Sequence, residues 1–166
     1  VGLVRSVDDL ADVAGPVLTL KRTVPLDWID YNGHMTEARY LDALAAATDR
    51  LMLMVGCTPE YIAQGGSFFT AETHIRHLDE AKAGDGIAVH TRVVAAEGKK
   101  MHLWHEMRRG ETLLATGEHM LIHVSLTTRA AAPPSPEISA QLQRLAQAHA
   151  KLDAPEGKGR AVGAPR

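Results

Sequence analysis

Apolar positions recur along this chain with two periods, and the changes between them outline its elements. Over residues 17–25 the period is two. Val17, Thr19, Lys21 and Thr23 fall on one side, Leu18, Leu20, Arg22 and Val24 on the other, and Pro25 closes the run. That alternation predicts a strand. From about Met35 the spacing becomes helical. Leu41, Leu44, Ala45, Thr48, Leu51, Met52 and Val55 recur every three or four residues, with Gly56 placed to cap the helix and Pro59 beyond it. Ala38, Ala43, Ala45, Ala46 and Ala47 make the segment thin. Small side chains let a helix approach another element closely, so this one is expected to lie buried on a sheet.

Period two then returns four times, at residues 67–78, 87–95, 100–108 and 112–125. Ile87, Val89, Thr91, Val93 and Ala95 share one face of the second of these strands. In the third, Met101, Leu103 and Met107 oppose His102, Trp104, Glu106 and Arg108. The breaks carry turn residues: Gln64-Gly65-Gly66, Ala83-Gly84-Asp85-Gly86, Glu97-Gly98 and Arg109-Gly110. After Pro133-Pro134-Ser135-Pro136, a stripe of Ile138, Leu142, Leu145, Ala146, His149 and Leu152 predicts a second amphipathic helix. The expected organisation is an N-terminal extension (1–16), one domain (17–132), a C-terminal helix (133–153) and a disordered tail (154–166) rich in Gly, Pro, Ala and Lys. One strand, a long helix and four strands at hairpin spacing read as α+β, a five-stranded antiparallel sheet curled around the helix.

Composition narrows the function. A net charge of -2 over 166 residues offers no basic stripe to neutralise phosphates, so a nucleic-acid partner is not expected. The most apolar run, residues 51–56, is far short of the ~20 residues of a membrane span. The N-terminal stretch, with Arg5, Asp8, Asp9 and Asp12, lacks the apolar segment of a secretion signal. With a single cysteine, Cys57, no intrachain disulfide forms. These features point to the cytoplasm. The nine histidines raise the question of a metal. His102 and His105 face opposite ways on one strand, as do His74 and His77, while His119 and His123 share a face but stand far apart. No Cys or carboxylate cluster completes a set, so no metal site is expected.

The richest stretch for chemistry is the loop ahead of the long helix: Asp27, Trp28, Ile29, Asp30, Tyr31, Asn32, Gly33, His34. Taken alone, Asp30 or Asn32 reads as a helix cap. The stretch from Val24 through Asp30-Tyr31-Asn32-Gly33-His34-Met35-Thr36-Glu37-Ala38-Arg39-Tyr40-Leu41 resembles the strand-loop-helix signature of hotdog-fold thioesterases, the 4-hydroxybenzoyl-CoA thioesterase group included. The turn at Ala83-Gly84-Asp85 and the strands on either side of Glu97-Gly98 are similar to that family's second half. Within the family the wording is nearest to the thioesterases of carnitine breakdown, associated with betainyl-CoA. The chain departs from many relatives at Thr36 and Glu37, where they carry two Asn residues.

The resemblance implies a hotdog fold and an acyl-CoA thioesterase that needs no resident cofactor, coenzyme A being part of its substrate. It places Asp30 on the catalytic carboxylate, attacking the thioester or activating water. His34 is expected to orient Asp30 or the substrate, and Glu37 is the rival carboxylate. Trp28, Tyr31, Asn32, Gly33 and Met35 around the loop, and Phe69, Thr70 and Glu72 on the next strand, are expected to bind substrate. Backbone N–H groups after Gly33 are oxyanion donors. Trp28, Tyr31, Phe68, Phe69 and Trp104 are candidates for holding a quaternary ammonium acyl group by cation–π contact. Arg76, Arg92, Lys99, Lys100 and Arg108 are available for the CoA phosphates. The expected partners are the acyl-CoA and a second copy of the chain, in a homodimer or homotetramer joined through edge strands. The competing readings are a non-catalytic acyl-CoA-binding hotdog module and a hotdog hydratase or dehydratase.

Overall fold

The computed structural model describes residues 13–165, so the expected N-terminal extension falls mostly outside the described range. The elements are β1 (Val17–Thr23), α1 (Glu37–Val55), α2 (Pro59–Ala63), β2 (Gly66–His77), β3 (Gly86–Glu97), β4 (Lys100–Arg109), β5 (Thr112–Ser125), β6 (Ala130–Ala131) and α3 (Pro136–His149). A 3-10 turn at Leu26–Trp28 follows β1. The turn and α2 are too short to leave a periodic signal in the sequence.

The strands form one antiparallel sheet in the order β1-β3-β4-β5-β2, with the two-residue β6 added to β5. This is the expected α+β architecture, a curled sheet holding α1. The two edges are β1 and β2. Bulges interrupt the alternation. Between Leu18 and Leu20 the shift turns Leu20 toward Val89, and between Val93 and Ala95 it puts Ala96 on the core side. Ala95, expected on one face with Val89, Thr91 and Val93, is exposed while they are buried, because a bulge reverses every side chain beyond it.

α1 begins at Glu37 and ends at Gly56, whose φ of 110° is the left-handed C-cap conformation that glycine adopts without cost. Its buried face is Tyr40, Ala43, Leu44, Ala47, Thr48, Leu51, Met52, Met54 and Val55. Leu41 and Ala45, expected on this face, are exposed; Ala43 and Ala47 take their place. Gly117 of β5 supplies the close approach: a Cβ there would stand 2.6 Å from Leu44 Cδ1.

The core divides in two along α1. One cluster gathers Leu51, Met54, Val93, Met101, Leu103 and Leu121 with Ile138, Leu142 and Leu145 of α3. The other gathers Leu44, Ala47, Ile87, Val89, Met107 and Leu114 with Val24, Trp28 and Met35. Between them runs a buried polar chain. Thr19 Oγ1 meets Thr91 Oγ1 at 2.8 Å, Thr91 Oγ1 meets His105 Nδ1 at 2.7 Å, and His105 Nε2 meets Thr48 Oγ1 at 2.8 Å. The His119 ring stands edge-on to His105, centroids 4.9 Å apart. Burial drives both imidazoles toward the neutral form, His105 well below the ordinary histidine range and His119 to about 4.

α3 closes the far end of the core. His149 pins it: Nδ1 accepts the Val93 N–H at 2.9 Å and Nε2 donates to the Gly15 carbonyl at 2.9 Å. Residues 154–165, expected as a disordered tail, contain neither helix nor strand but cross the sheet's outer face. Arg92 and Arg76 donate to the carbonyls of Asp153 and Glu156, and the Gly159 N–H donates to the Glu118 carboxylate at 2.6 Å.

Candidate active site

The chain reaches α1 through a narrow turn. Ile29 and Met35 bridge as an isolated antiparallel pair, Asp30 N–H donates to the His34 carbonyl at 3.0 Å, and Gly33 N–H donates back to the Asp30 carbonyl at 3.0 Å. Gly33 has φ 82°, which a side chain would strain. Inside the turn the Asp30 carboxylate accepts the Asn32 N–H at 2.8 Å through Oδ1, an Asx turn. Oδ2 keeps its lone pairs for other work.

This geometry removes the capping reading. The N-cap of α1 is Thr36, six residues after Asp30. The Thr36 side chain makes no cap bond, so N–H donors of the first turn face the loop without a side-chain acceptor.

The turn is clamped onto the segment between β2 and β3. Met35 N–H donates to the Ala81 carbonyl at 2.7 Å and Thr36 N–H to the Trp28 carbonyl at 2.9 Å. His34 Nε2 lies 2.8 Å from Glu80 Oε2. A carboxylate only accepts, so Nε2 carries the proton and Nδ1 is the free ring nitrogen. Arg109 holds the same segment, donating to the Glu80 carbonyl at 2.5 Å and lying 3.2 Å from Asp85 Oδ2. Below it Tyr40 donates to the Asp79 carbonyl at 3.2 Å and meets the His77 ring edge-on at 4.9 Å. Burial pushes its phenol above the usual tyrosine range, against the lowering pull of the Ala81 backbone, and the Asp79 and Glu80 carboxylates add to the rise.

The structure therefore gathers Asp30, Tyr31, Asn32, Gly33, His34 and Met35 at the mouth of α1, with Glu37 exposed on the first turn. Trp28 is buried under this loop, its ring already covered by the Arg22 guanidinium at 4.1 Å. Tyr31 is 97% exposed, an open aromatic face beside Asp30. Phe69, Thr70 and Glu72 are elsewhere, on the exposed middle of edge strand β2. Their register partners are Ile122, Leu121 and Met120, with a bulge after Thr70. That leaves Thr70 on the helix side of the sheet and Phe69 and Glu72 on the outer side. Phe68 packs on His123 and Trp104 is buried, so the five aromatic candidates do not converge within one chain. Glu80, the partner of His34, carried no signal in the sequence. It sits in an ordinary polar turn, and only the fold brings that turn to the helix mouth.

Among the described residues no group of three or more His, Cys, Asp or Glu is placed to hold a metal ion, and no helix is long and apolar enough to cross a membrane.

The model of the thioesterase-like superfamily matches residues 24–142, from the end of β1 into α3. The chain belongs to this superfamily. Among its relatives is the L-carnitine dehydrogenase/betainyl-CoA thioesterase of Ruegeria pomeroyi, 59% identical over 157 residues, which are 95% of this chain and 32% of that protein. The chain thus spans about a third of the length of such two-part relatives. A betainyl-CoA thioesterase of Pseudomonas aeruginosa is 40% identical over 90% of this chain and 96% of its own length. A Pseudomonas putida KT2440 protein proposed to be a thioesterase superposes with a TM-score of 0.78 at 33% identity, covering 92% of this chain and 99% of its own. A Staphylococcus aureus protein solved in complex with CoA superposes with a TM-score of 0.84 at 23% identity, covering 93% and 100%, a likeness of fold. In this superfamily member the loop described above lies wholly inside the matched region.

Proposed function

We propose that the chain hydrolyses acyl-CoA thioesters and that Asp30 carries the reaction. The observation behind this reading is the Asp30 turn: a carboxylate with one oxygen fixed by Asn32 N–H and the other open, set directly ahead of uncapped α1, in a member of the thioesterase-like superfamily. Oδ2 either attacks the thioester carbon, expelling CoA thiolate and leaving a mixed anhydride for water to cleave, or takes the proton of an attacking water. The first-turn N–H groups receive the oxyanion, each worth about 3 kcal/mol in such a role. His34, held by Glu80 through Nε2, keeps Nδ1 available as a positioning group.

Betainyl-CoA is the substrate this reading favours, because relatives at 59% and 40% identity carry that name. Trp28 is unavailable to its quaternary ammonium, being covered by Arg22. Tyr31 supplies the exposed aromatic face and Glu80, paired with His34 three residues on, the negative charge; both attract a cation. Equal efficiency on betainyl-CoA and a neutral acyl-CoA of similar size would rule this recognition out.

The site is completed by a second copy. The exposed stretch of β2, residues 69–73, is an unpaired edge. If β2 pairs antiparallel with its copy about a twofold axis near Thr73, the partner strand's stretch around residue 70 comes opposite His77, beside Tyr40 and the segment that clamps the Asp30 turn. Thr70 and its neighbours then reach a site they cannot approach within their own chain.

The deciding experiment is thiol release from a panel of acyl-CoAs by wild type and Asp30→Asn. Asparagine keeps an acceptor for the Asn32 N–H and loses the open carboxylate oxygen. A variant as fast as wild type sinks the mechanism, and a wild type that cleaves no acyl-CoA sinks the activity in favour of a binding module.

A further inference from the structure

A sizeable cavity lies away from the Asp30 loop. It lies on the outer face of β2, β4 and β5, under the C-terminal segment, and measures about 530 Å³, within the range of small-molecule sites. Three guanidinium groups line it: Arg76 from β2, Arg108 from β4 and Arg160 from the covering segment. Two of them are capped only by neutral carbonyls. Arg76 Nη1 donates to the Glu156 carbonyl at 3.2 Å, and Arg160 donates to the Ala164 carbonyl. Neither forms an ion pair with a carboxylate among the described residues. The Arg160 Nε is buried with no hydrogen-bond partner. The Glu106 carboxylate in the cavity is turned to Arg108 at 3.4 Å, and Glu156 also lines it. Three positive groups thus face two negative ones, and positive charge is left over.

The cavity also has an apolar side, formed by Leu78, Leu113 and Pro165. Guanidiniums opposite an apolar wall suit a ligand with phosphates at one end and a flat ring at the other. The covering segment is shaped for this approach. Gly157, at φ 89°, crosses Arg76 so closely that a Cβ there would stand 2.0 Å from Nη1. Position supports the same ligand. Leu78, at the cavity, is three residues from Ala81, which holds Met35 at the Asp30 turn. Three residues reach at most about 11 Å, a span that the arm between nucleotide and thioester can bridge.

We propose that this cavity holds the phosphorylated adenosine end of the acyl-CoA, closed over by the C-terminal segment. The inference rests on the thioesterase reading and names where its substrate is gripped. Arg76 and Arg108 were among five basic residues the sequence offered for phosphates; the fold brings these two together and adds Arg160.

The test compares full-length wild type with Arg76→Gln, Arg160→Gln and, as a control of equal charge change on the exposed side of α3, Arg144→Gln. KM is measured for an acyl-CoA and for the same acyl group on pantetheine, which lacks the nucleotide. Binding of adenosine 3′,5′-bisphosphate and of inorganic phosphate is measured by calorimetry. Expected is a rise of about tenfold in KM for the CoA thioester in each cavity variant, with kcat and the pantetheine KM unchanged, an equal loss of bisphosphate affinity, and no change for Arg144→Gln. Arg160 lies outside the folded core, so its variant remains informative if Arg76→Gln misfolds. Unchanged KM and bisphosphate affinity in Arg160→Gln overturn the proposal, as does inorganic phosphate binding as tightly as the bisphosphate. If no acyl-CoA is cleaved, the thioesterase reading fails on its own, and the calorimetry still decides the cavity.

Discussion

The Asp30 carboxylate is held by one backbone hydrogen bond, which makes its structural role and its proposed catalytic role separable. Asp30→Asn keeps the Asx turn and is expected to lower kcat by about 10²–10⁴-fold, the usual worth of a positioned acid–base group, with thermal stability unchanged. Asp30→Ala is expected to lose the same activity and some loop order besides. Unequal activities in the two variants would mean that the turn itself matters to the chemistry. Glu80→Gln tests the support of His34. The amide can accept from the same Nε2–H but carries no charge, so a modest fall in kcat with KM held is expected from steady-state kinetics. If Glu80→Gln equals wild type, the His34–Glu80 pair of 2.8 Å is a surface contact only.

At the scale of elements, the α1–β5 contact and the buried histidines set the stability. Gly117→Ala puts a methyl 2.6 Å from Leu44 Cδ1, and overpacking of this kind costs about 1–3 kcal/mol; denaturant unfolding measures it. His105 and His119 are neutral in the fold because burial disfavours their charged form, and His119 titrates at about 4. The unfolded chain takes up these protons near pH 6.5. A depressed histidine therefore contributes its full stability above that pH, and the contribution is lost as pH falls from 6.5 toward 4. The expected slope is up to about 1.4 kcal/mol per pH unit per histidine. His119→Asn is expected to flatten it. An unchanged pH profile in that variant would show that His119 charges at no cost.

For the whole molecule, the unpaired β2 edge carries the prediction. A lysine at Ala71 would stand near its own copy if the strands pair, and like charges at an edge block pairing. Ala71→Lys is expected to shift the protein to monomer in sedimentation experiments and to abolish acyl-CoA hydrolysis with the fold intact by circular dichroism. A monomeric variant with full activity would place the complete site within one chain. On the outer face, residues 154–165 already lie against the sheet through the Arg76–Glu156 and Gly159–Glu118 hydrogen bonds.

Period and punctuation in the sequence were enough to place α1, the five long strands and α3, because burying one face of a helix or strand imposes its repeat on the chain. Gly56, Glu97-Gly98 and Arg109-Gly110 marked their ends by turn chemistry. The Asp30-Tyr31-Asn32-Gly33-His34 motif marked the candidate site. Other features are not local and left no such trace. Bulges at Thr19 and Val94 moved residues between faces. The Thr91–His105–Thr48 chain joins β3, β4 and α1, and Glu80 reaches His34 from another loop. The Arg76–Arg108–Arg160 cavity draws on two strands and the covering segment. Each depends on which strands lie side by side, which long-range packing decides. Whether Asp30 capped the helix was also settled there: the contacts at Met35 and Thr36 put the N-cap of α1 six residues later, and the Asp30 carboxylate accepts the Asn32 N–H within its own turn instead.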